Sequence, residues 1–404
     1  MTASTELDGA AASADLLSSA AIAVGTVPTP EQRRREDDLL AAALARSALL
    51  RSEGYFDPPP TEPAESDSGL DSPPAISVRV TPSLSSFDND LSESSSLKSS
   101  VVDHVFENGM RYHGFRAGRY PFPNDDDEQN RDDMKHTMAQ MLCHDAYFYS
   151  PVEQALKAGG EVLDLGTGTG IWAIELADKY PEARITGIDL SPIQPNFVPE
   201  NARFFVDDFE MDWVDPESTY DFIHIRYTLH CVRDPRMLVQ RALRHLKPGG
   251  YFEVKQLDYD LRCDDGSLDP ARPSALRDYI KFMENGLAAY GFDLYAIAAV
   301  PALMRDAGFQ DVRVRRHKCP IGTWARDMRL RMCGLFMRTA ILGGLRGLSR
   351  RPLTALGWTQ TQIEMFLIEV RKSLSDQETH AYLNYDVVYG RKPSEESDDK
   401  DGER

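Results

Sequence analysis

Residues 161–170, Glu-Val-Leu-Asp-Leu-Gly-Thr-Gly-Thr-Gly, constrain the fold of this chain more than any other stretch. Residues 162–165 read as a buried parallel strand, and Gly166, Gly168 and Gly170 follow at alternate positions. Residues 171–177, Ile-Trp-Ala-Ile-Glu-Leu-Ala, then carry a helical pattern. A strand, a tight glycine turn and a helix start make the first unit of a nucleotide-binding α/β fold. Glycines serve such a turn because the ligand lies against bare backbone, where a Cβ would block its approach. A dinucleotide fingerprint, G-x-G-x-x-G, needs glycine at 171, and Ile171 stands there. The acid Asp164, two residues before the first glycine, gives instead the form D-x-G-x-G-x-G. A chance glycine turn is the competing reading, and the downstream residues weigh against it.

Residues 184–190 predict a second strand ending in Asp189, 23 residues after Gly166. A carboxylate at that strand tip can accept both hydroxyls of a ribose, and the offset fits the ~20-residue rule of such folds. Residues 202–209 predict a third strand with Asp207 and Asp208 at its end, and residues 220–226 a fourth. A helix over 235–246 is broken by Lys247-Pro248-Gly249-Gly250 before a fifth strand over 251–255. A single acid of this kind is usually a solvated turn residue. Three at successive strand ends, beside the glycine turn, read as a ligand site at the carboxyl edge of a sheet. The fold class is therefore α/β, doubly wound and Rossmann-like.

At 404 residues the length alone allows two or three domains, but composition argues for one domain with disordered ends. Residues 1–100 hold 16 acids against 7 bases, are rich in Ser, Ala and Pro, and show no sustained period. Such a stretch buries too little apolar surface to offset its ordering entropy, so 1–100 is expected to be disordered, as is the tail 394–404. Within it, residues 31–53 carry leucines that could form a transient or partner-induced helix. The run Arg33-Arg34-Arg35, flanked by Glu31, Glu36, Asp37 and Asp38, reads as a solvated face rather than a nuclear address. The domain is placed at 101–393, with a core at 155–258 and a helical cap plus C-terminal strands at 259–393. A net charge of −19 without a basic stripe argues against direct nucleic-acid binding. Five scattered cysteines without a CxxC pair fit a reducing compartment and suggest no metal site. No signal-peptide pattern and no apolar run of ~18 residues is present, so a soluble intracellular protein without a membrane span is expected.

Residues 104–124 are dense in aromatics and arginines, yet glycines and prolines prevent a long helix. One reading is a strand–turn segment packed on the domain edge. The sharper one is a lid over a cofactor, with Tyr112, His113 and Arg116 near the reacting side. The acids 125–128 then suit the positive N-terminus of a helix that runs through Met134, Met138, Met141 and Leu142.

These motifs resemble a known family. D-x-G-x-G-x-G is similar to motif I of class I S-adenosylmethionine (SAM) methyltransferases, and Lys247-Pro248-Gly249-Gly250 before strand five is a frequent mark of them. Glu107-Asn108-Gly109, Arg111-Tyr112-His113-Gly114, Tyr120-Pro121-Phe122-Pro123-Asn124 and above all Ser191-Pro192-Ile193-Gln194-Pro195 resemble fungal LaeA-type methyltransferases across about residues 104–393. The resemblance implies a seven-stranded SAM methyltransferase fold. It implies that Asp164, Gly166, Thr167, Gly168, Gly170, Asp189, Leu190, Asp207, Asp208, Phe209 and Arg226 bind the cofactor, with Asp208 aligning better than Asp207 for the adenine amino group. Some members resemble regulators of secondary-metabolite gene clusters that bind velvet-type proteins in the nucleus. Others sit within such clusters and methylate the metabolite. Cytoplasmic and nuclear locations both follow.

In the second half, helices are expected over 274–290, 296–307, 326–345 and 361–374, with strands over 309–315 and 381–389. In this fold the helices after strand five cap the acceptor pocket. Trp324, Met328, Met332, Phe336 and Met337 could line it, although at helical spacing plain core is the better reading. Methyl transfer from a sulfonium is an in-line displacement that asks mainly for alignment and water exclusion. An oxygen acceptor also needs a base, and His230, beyond strand four, and His113 are the candidates. The expected function is methylation of a small metabolite, with a regulatory role in a nuclear complex as the alternative.

Overall fold

The computed structural model describes residues 104–394, residues 29–35 and 76–78, and residues 22, 38, 40 and 41. Strand β1 is Ile76–Val78, and β2 (His104–Glu107) and β3 (Met110–His113) form a separate two-stranded ribbon. Asn108 (φ 55°) and Gly109 (φ 78°) close that ribbon, both in the left-handed region that a two-residue hairpin turn demands. Helices α1 (Asp126–Leu142) and α2 (Glu153–Lys157) lead into β4 (Glu161–Leu165), α3 (Ile171–Lys179), β5 (Arg184–Asp189), β6 (Ala202–Val206) and β7 (Tyr220–Arg226). Then come α4 (Pro235–His245), β8 (Leu246–Arg262), α5 (Ala275–Ala288), α6 (Val300–Ala307), β9 (Gln310–Pro320), α7 (Met328–Ala355), α8 (Gln360–Ser375) and β10 (Tyr382–Arg391).

The main sheet runs β1-β6-β5-β4-β7-β8-β10-β9, parallel from β1 to β8, with β10 antiparallel to both neighbours. The seven strands β6 to β9 follow the expected doubly wound plan. The chain winds outward from β4 first towards β6 and then towards β8, so the winding reverses beside β4 and opens a crevice at the strand ends there. Alternate strand residues serve opposite faces: Val162 and Phe222 pack with α2 and α3, whereas Leu163 and Ile223 pack with α4 and α6. A third cluster joins α1, α5, α7 and α8 into the cap over the far half of the sheet.

Several boundaries differ from expectation for visible reasons. Helix α7 runs on to Ala355 despite Gly343, Gly344 and Gly347. A Cβ on Gly344 would stand 2.6 Å from Arg131 Cδ, and one on Gly347 would stand 2.9 Å from Pro123 Cγ. The glycines there admit close neighbours rather than stop the helix. Strand β8 extends to Arg262 because β10 pairs along it as far as Tyr382. The N-terminal region is corrected at the residues described. Ile76–Val78 adds an eighth strand beside Phe204–Val206, residues 30–35 are helical, and Leu40 packs on the cap cluster. A three-residue strand is too short to leave a periodic signal. The remainder of the expected N-terminal disorder and the tail 395–404 lie outside the described residues. Among the described residues, no helix is long and apolar enough to cross a membrane.

Candidate active site

The glycine turn hangs between β4 and α3. Gly166 N and Thr167 N both donate to Ile188 O, at 2.8 and 3.0 Å, which ties the turn to β5. Thr167 Oγ1 donates to Asp164 Oδ2 at 2.6 Å, and Asp164 Oδ1 meets His224 Nδ1 at 2.8 Å. His224 is stacked on Trp172 at 3.7 Å, and burial lowers its pKa, so Asp164 fixes the turn from below with a neutral imidazole. All three motif glycines have positive φ (68°, 59° and 80°), but they face different things. A Cβ on Gly166 would meet Thr228 Oγ1 at 2.5 Å, and one on Gly170 would meet the Phe204 ring at 2.7 Å. Only Gly168 looks into open space, with Asp132 Oδ2 at 3.7 Å.

Asp189 ends β5 with both oxygens engaged: Oδ2 accepts from Gly168 N at 2.9 Å and Oδ1 from Ser191 N at 2.8 Å. Burial pushes its pKa up to about 6, against the opposing pull of those two N–H groups. Gln194 Nε2 donates to Gly168 O and Ser191 O, so the Ser-Pro-Ile-Gln run braces the same loop. At the end of β7, Arg226 Nη2 donates to His136 Nδ1 at 2.9 Å. His136 Nε2 meets Glu175 Oε2 at 2.8 Å, and Tyr147 OH donates to the same oxygen.

A cleft lies above these groups. Asp164, Gly166, Thr167, Gly168, Asp189, Leu190, Phe209 and Arg226 line it, whereas Gly170, Asp207 and Asp208 do not. Asp208 is buried beneath the leading segment, with Arg116 Nη1 at 3.4 Å and Arg119 Nε at 3.3 Å, and Arg119 Nη2 lies 2.6 Å from Glu210. That segment supplies Tyr120, Pro123 and Asn124 to the cleft wall. Tyr112 is instead fully buried against Arg351, at 3.6 Å. Replacing Arg119 with Ala leaves two nearly buried carboxylates short of a cation, a cost of about 2 kcal/mol. Hydrogen exchange over residues 114–124 should then quicken by about tenfold or more. Unchanged exchange would show that these ion pairs do not hold the segment down.

A second cavity lies under the cap. Its wall is mainly apolar and aromatic, from Phe122, Leu257, Tyr259, Leu276, Tyr279, Met283, Ile341 and Leu348 among others. Tyr120, Lys135 and Tyr227 line both cavities, so the two lie side by side there. Of the five cap residues considered from sequence, Met337 alone is on this wall. Met332 and Phe336 are core, Trp324 packs with Tyr382, and Met328 is 48% exposed.

His230 lines this second cavity. Its Nδ1 accepts from Gln256 Nε2 at 3.1 Å, which leaves the ring proton on Nε2. Burial, then the nearby Lys135, lowers its pKa to about 3, far below the range suited to a general base, so its setting suits a hydrogen-bond donor. His113 is 1% exposed, burial lowers its pKa to about 4, and it lines neither cavity. The hairpin turns it inward towards Tyr120, whose ring centroid is 6.3 Å away.

Sequence reasoning passed over the polar face of α1. Glu128, Gln129, Asp132 and Lys135 line the first cavity, and Lys135 Nζ sits 2.6 Å from Asp132 Oδ1 and 4.7 Å over the Tyr227 ring. The signal was their spacing, which gathers 128, 132 and 135 on one helix face while Met134 and Met138 mark another.

The sheet order, the glycine turn and the acids at consecutive strand ends together define a class I methyltransferase. The residues present fit SAM: Gly168 offers bare backbone to the cleft, and the half-buried Asp189 carboxylate lines it. A family model described as "Methyltransferase domain" matches residues 134–314. The chain is 37% identical over 326 residues to "Methyltransferase pytC" of Aspergillus terreus, covering 79% of this chain and 97% of that protein. It is 34% identical to "Secondary metabolism regulator laeA" of Aspergillus niger over 293 residues (71% and 76% covered). To "Protein-methionine methyltransferase laeA" of Emericella nidulans it is 34% identical over 291 residues (71% and 76%). The chain belongs to this LaeA-type family of SAM-dependent methyltransferases.

Proposed function

We propose that the chain methylates a small, largely apolar metabolite held in the cavity under the cap. The observation that carries this reading is that Tyr120, Lys135 and Tyr227 line both the cofactor cleft and this mainly apolar cavity, which sets the two side by side at a junction. In this reading Asp189 accepts the ribose hydroxyls, Phe209 and Leu190 flank the adenine, and Gly166, Thr167, Gly168 and Arg226 hold the methionine end. Bound SAM supplies an electrophilic methyl on a cationic sulfur. The chain's own part is to align the acceptor with that methyl and to exclude water, which the buried aromatic wall does. His230 and the Lys135 ammonium offer hydrogen bonds to the acceptor oxygen at the junction.

A second reading, regulation of secondary-metabolite gene expression with velvet-type partners in the nucleus, is supported by the 34% identity to laeA. One experiment separates them. The protein is incubated with methyl-labelled SAM and a fungal metabolite extract, and the label is followed into the organic phase and into protein. Label in the organic phase, lost in Ile341→Trp while SAM binding persists, is the expected result. Label confined to protein, in both chains alike, would favour the second reading.

A further inference from the structure

Helix α1 forms the partition between the two cavities, and its charges are sorted by side. Glu128 and Asp132 line the cofactor cleft, Arg131 lines the cap cavity, and Lys135 lines both. Two ion pairs span the partition: Arg131 Nε donates to Glu128 Oε2 at 2.8 Å, and Lys135 Nζ lies 2.6 Å from Asp132 Oδ1. With Asp164 and Asp189, the cleft wall carries four acids against Lys135 and Arg226. The charged side chains on the cap-cavity wall are Arg131 and Lys135, both basic, with burial and then Arg131 lowering the pKa of Lys135 against the opposing pull of Asp132. The other titratable groups there are neutral near pH 7: burial raises the pKa of Tyr120, Tyr227, Tyr259 and Tyr279 and lowers that of His230. A cationic donor is thus met by acids, and the acceptor by cations at one end of an apolar chamber.

We infer that the acceptor reacts as a delocalised oxyanion on an aromatic or conjugated apolar scaffold, a phenolate or enolate, whose oxygen is held at the junction by Lys135. This rests on the metabolite-methylating reading above. A delocalised anion suits the chamber better than a localised one, because it gives up less hydration on entering an apolar space. The hydroxyl proton leaves to solvent as the anion forms. A lone pair of the oxygen then makes the new O–C bond while the C–S bond breaks, its electron pair staying on sulfur. No basic side chain is consumed, in keeping with a His230 that donates from Nε2 rather than abstracts.

The inference is tested with 7-hydroxycoumarin, whose ionisation is read by absorbance, and 7-methoxycoumarin as its non-ionisable control. The full-length chain is saturated with S-adenosylhomocysteine so that no transfer occurs. Ionisation of the bound hydroxyl is expected at least about one pH unit below that of the free probe, which means the anion binds about tenfold tighter than the neutral form. Lys135→Met should abolish the shift and Lys135→Arg should keep it, while 7-methoxycoumarin binds all three chains within about threefold. A wild-type chain that binds both probes but leaves the ionisation unshifted, or raises it, overturns the inference and spares the reading beneath it. That comparison needs no variant to fold. Failure of both probes to bind overturns the cap cavity as an acceptor site, and this inference with it.

Discussion

Asp189→Ala should weaken SAM binding by about 100-fold or more. Each ribose hydroxyl donating to a carboxylate is worth about 1.5–3 kcal/mol, and two would be lost. The variant also leaves Gly168 N and Ser191 N without their acceptors, so the turn beneath the cofactor loosens as well. The same residue sets a pH dependence. Its pKa in the ligand-free fold is raised to about 6, so its contribution to folding is fully present below the unfolded value near 4 and is lost as pH rises through 6. Cofactor binding runs the opposite way, because the ribose hydroxyls favour the carboxylate. Affinity should therefore hold above pH 6 and fall by up to about tenfold per pH unit below it. Calorimetry from pH 5 to 7.5 on wild type, Asp189→Ala and Asp189→Asn checks both points. A loss below about threefold in Asp189→Ala, or a wild-type profile as flat as that of Asp189→Asn, would remove Asp189 from the ribose.

The parallel half of the sheet was legible because its strands are short, apolar and punctuated by glycine or acids. Residues 220–226 were read to the residue, and β5 was read from its first residue to within one of its end at Asp189. The resemblance to LaeA-type proteins added what periodicity cannot give, the cofactor and the family. Helix ends were read where a cap residue marks them, as at Ser274, whose side chain accepts from Arg277 N. They were missed where tertiary contact overrides a local signal. Gly344 and Gly347 look like stops, and only the approach of Arg131 and Pro123 explains why α7 continues.

The site was legible in outline and not in its division of labour. Strand-end positions say which residues share an edge of the sheet, but not which reach the ligand. Asp208 aligned well, yet Arg116 and Arg119, about 90 residues upstream, hold it under the leading segment. Such long-range ion pairs leave no trace in local pattern. His230 lay at the correct edge, but its proton position depends on Gln256, on the neighbouring strand β8. The Asp132–Lys135 pair went unread because the same helix also carries a strong methionine stripe, and that stripe explains the helix without it.

Gly170→Ala should be far more destabilising than Gly168→Ala, and Gly168→Ala the more selective of the two for cofactor. The Phe204 ring is 1% exposed and passes between Gly170 and Gly187, where an added Cβ would stand 2.7 and 2.6 Å from it. A β-carbon at 170 adds the penalty of a left-handed backbone, about 1–2 kcal/mol, to overpacking of about 1–3 kcal/mol. A loss near 3 kcal/mol should lower the melting temperature by about 6–10 °C. Gly168 bears the backbone penalty alone, since its added carbon would find open space 3.7 Å from Asp132 Oδ2. That space belongs to the cofactor cleft, so its stability cost should stay near 1 kcal/mol while SAM affinity falls by about tenfold or more. Adding Phe204→Leu tests the cause: if the ring is the obstacle, Gly170→Ala should cost less in the Phe204→Leu background than in the parent chain, by about 1 kcal/mol or more. Equal costs in both backgrounds would place the strain in the backbone instead. Equal SAM affinities for Gly168→Ala and wild type would show that the ligand does not lie on that bare peptide.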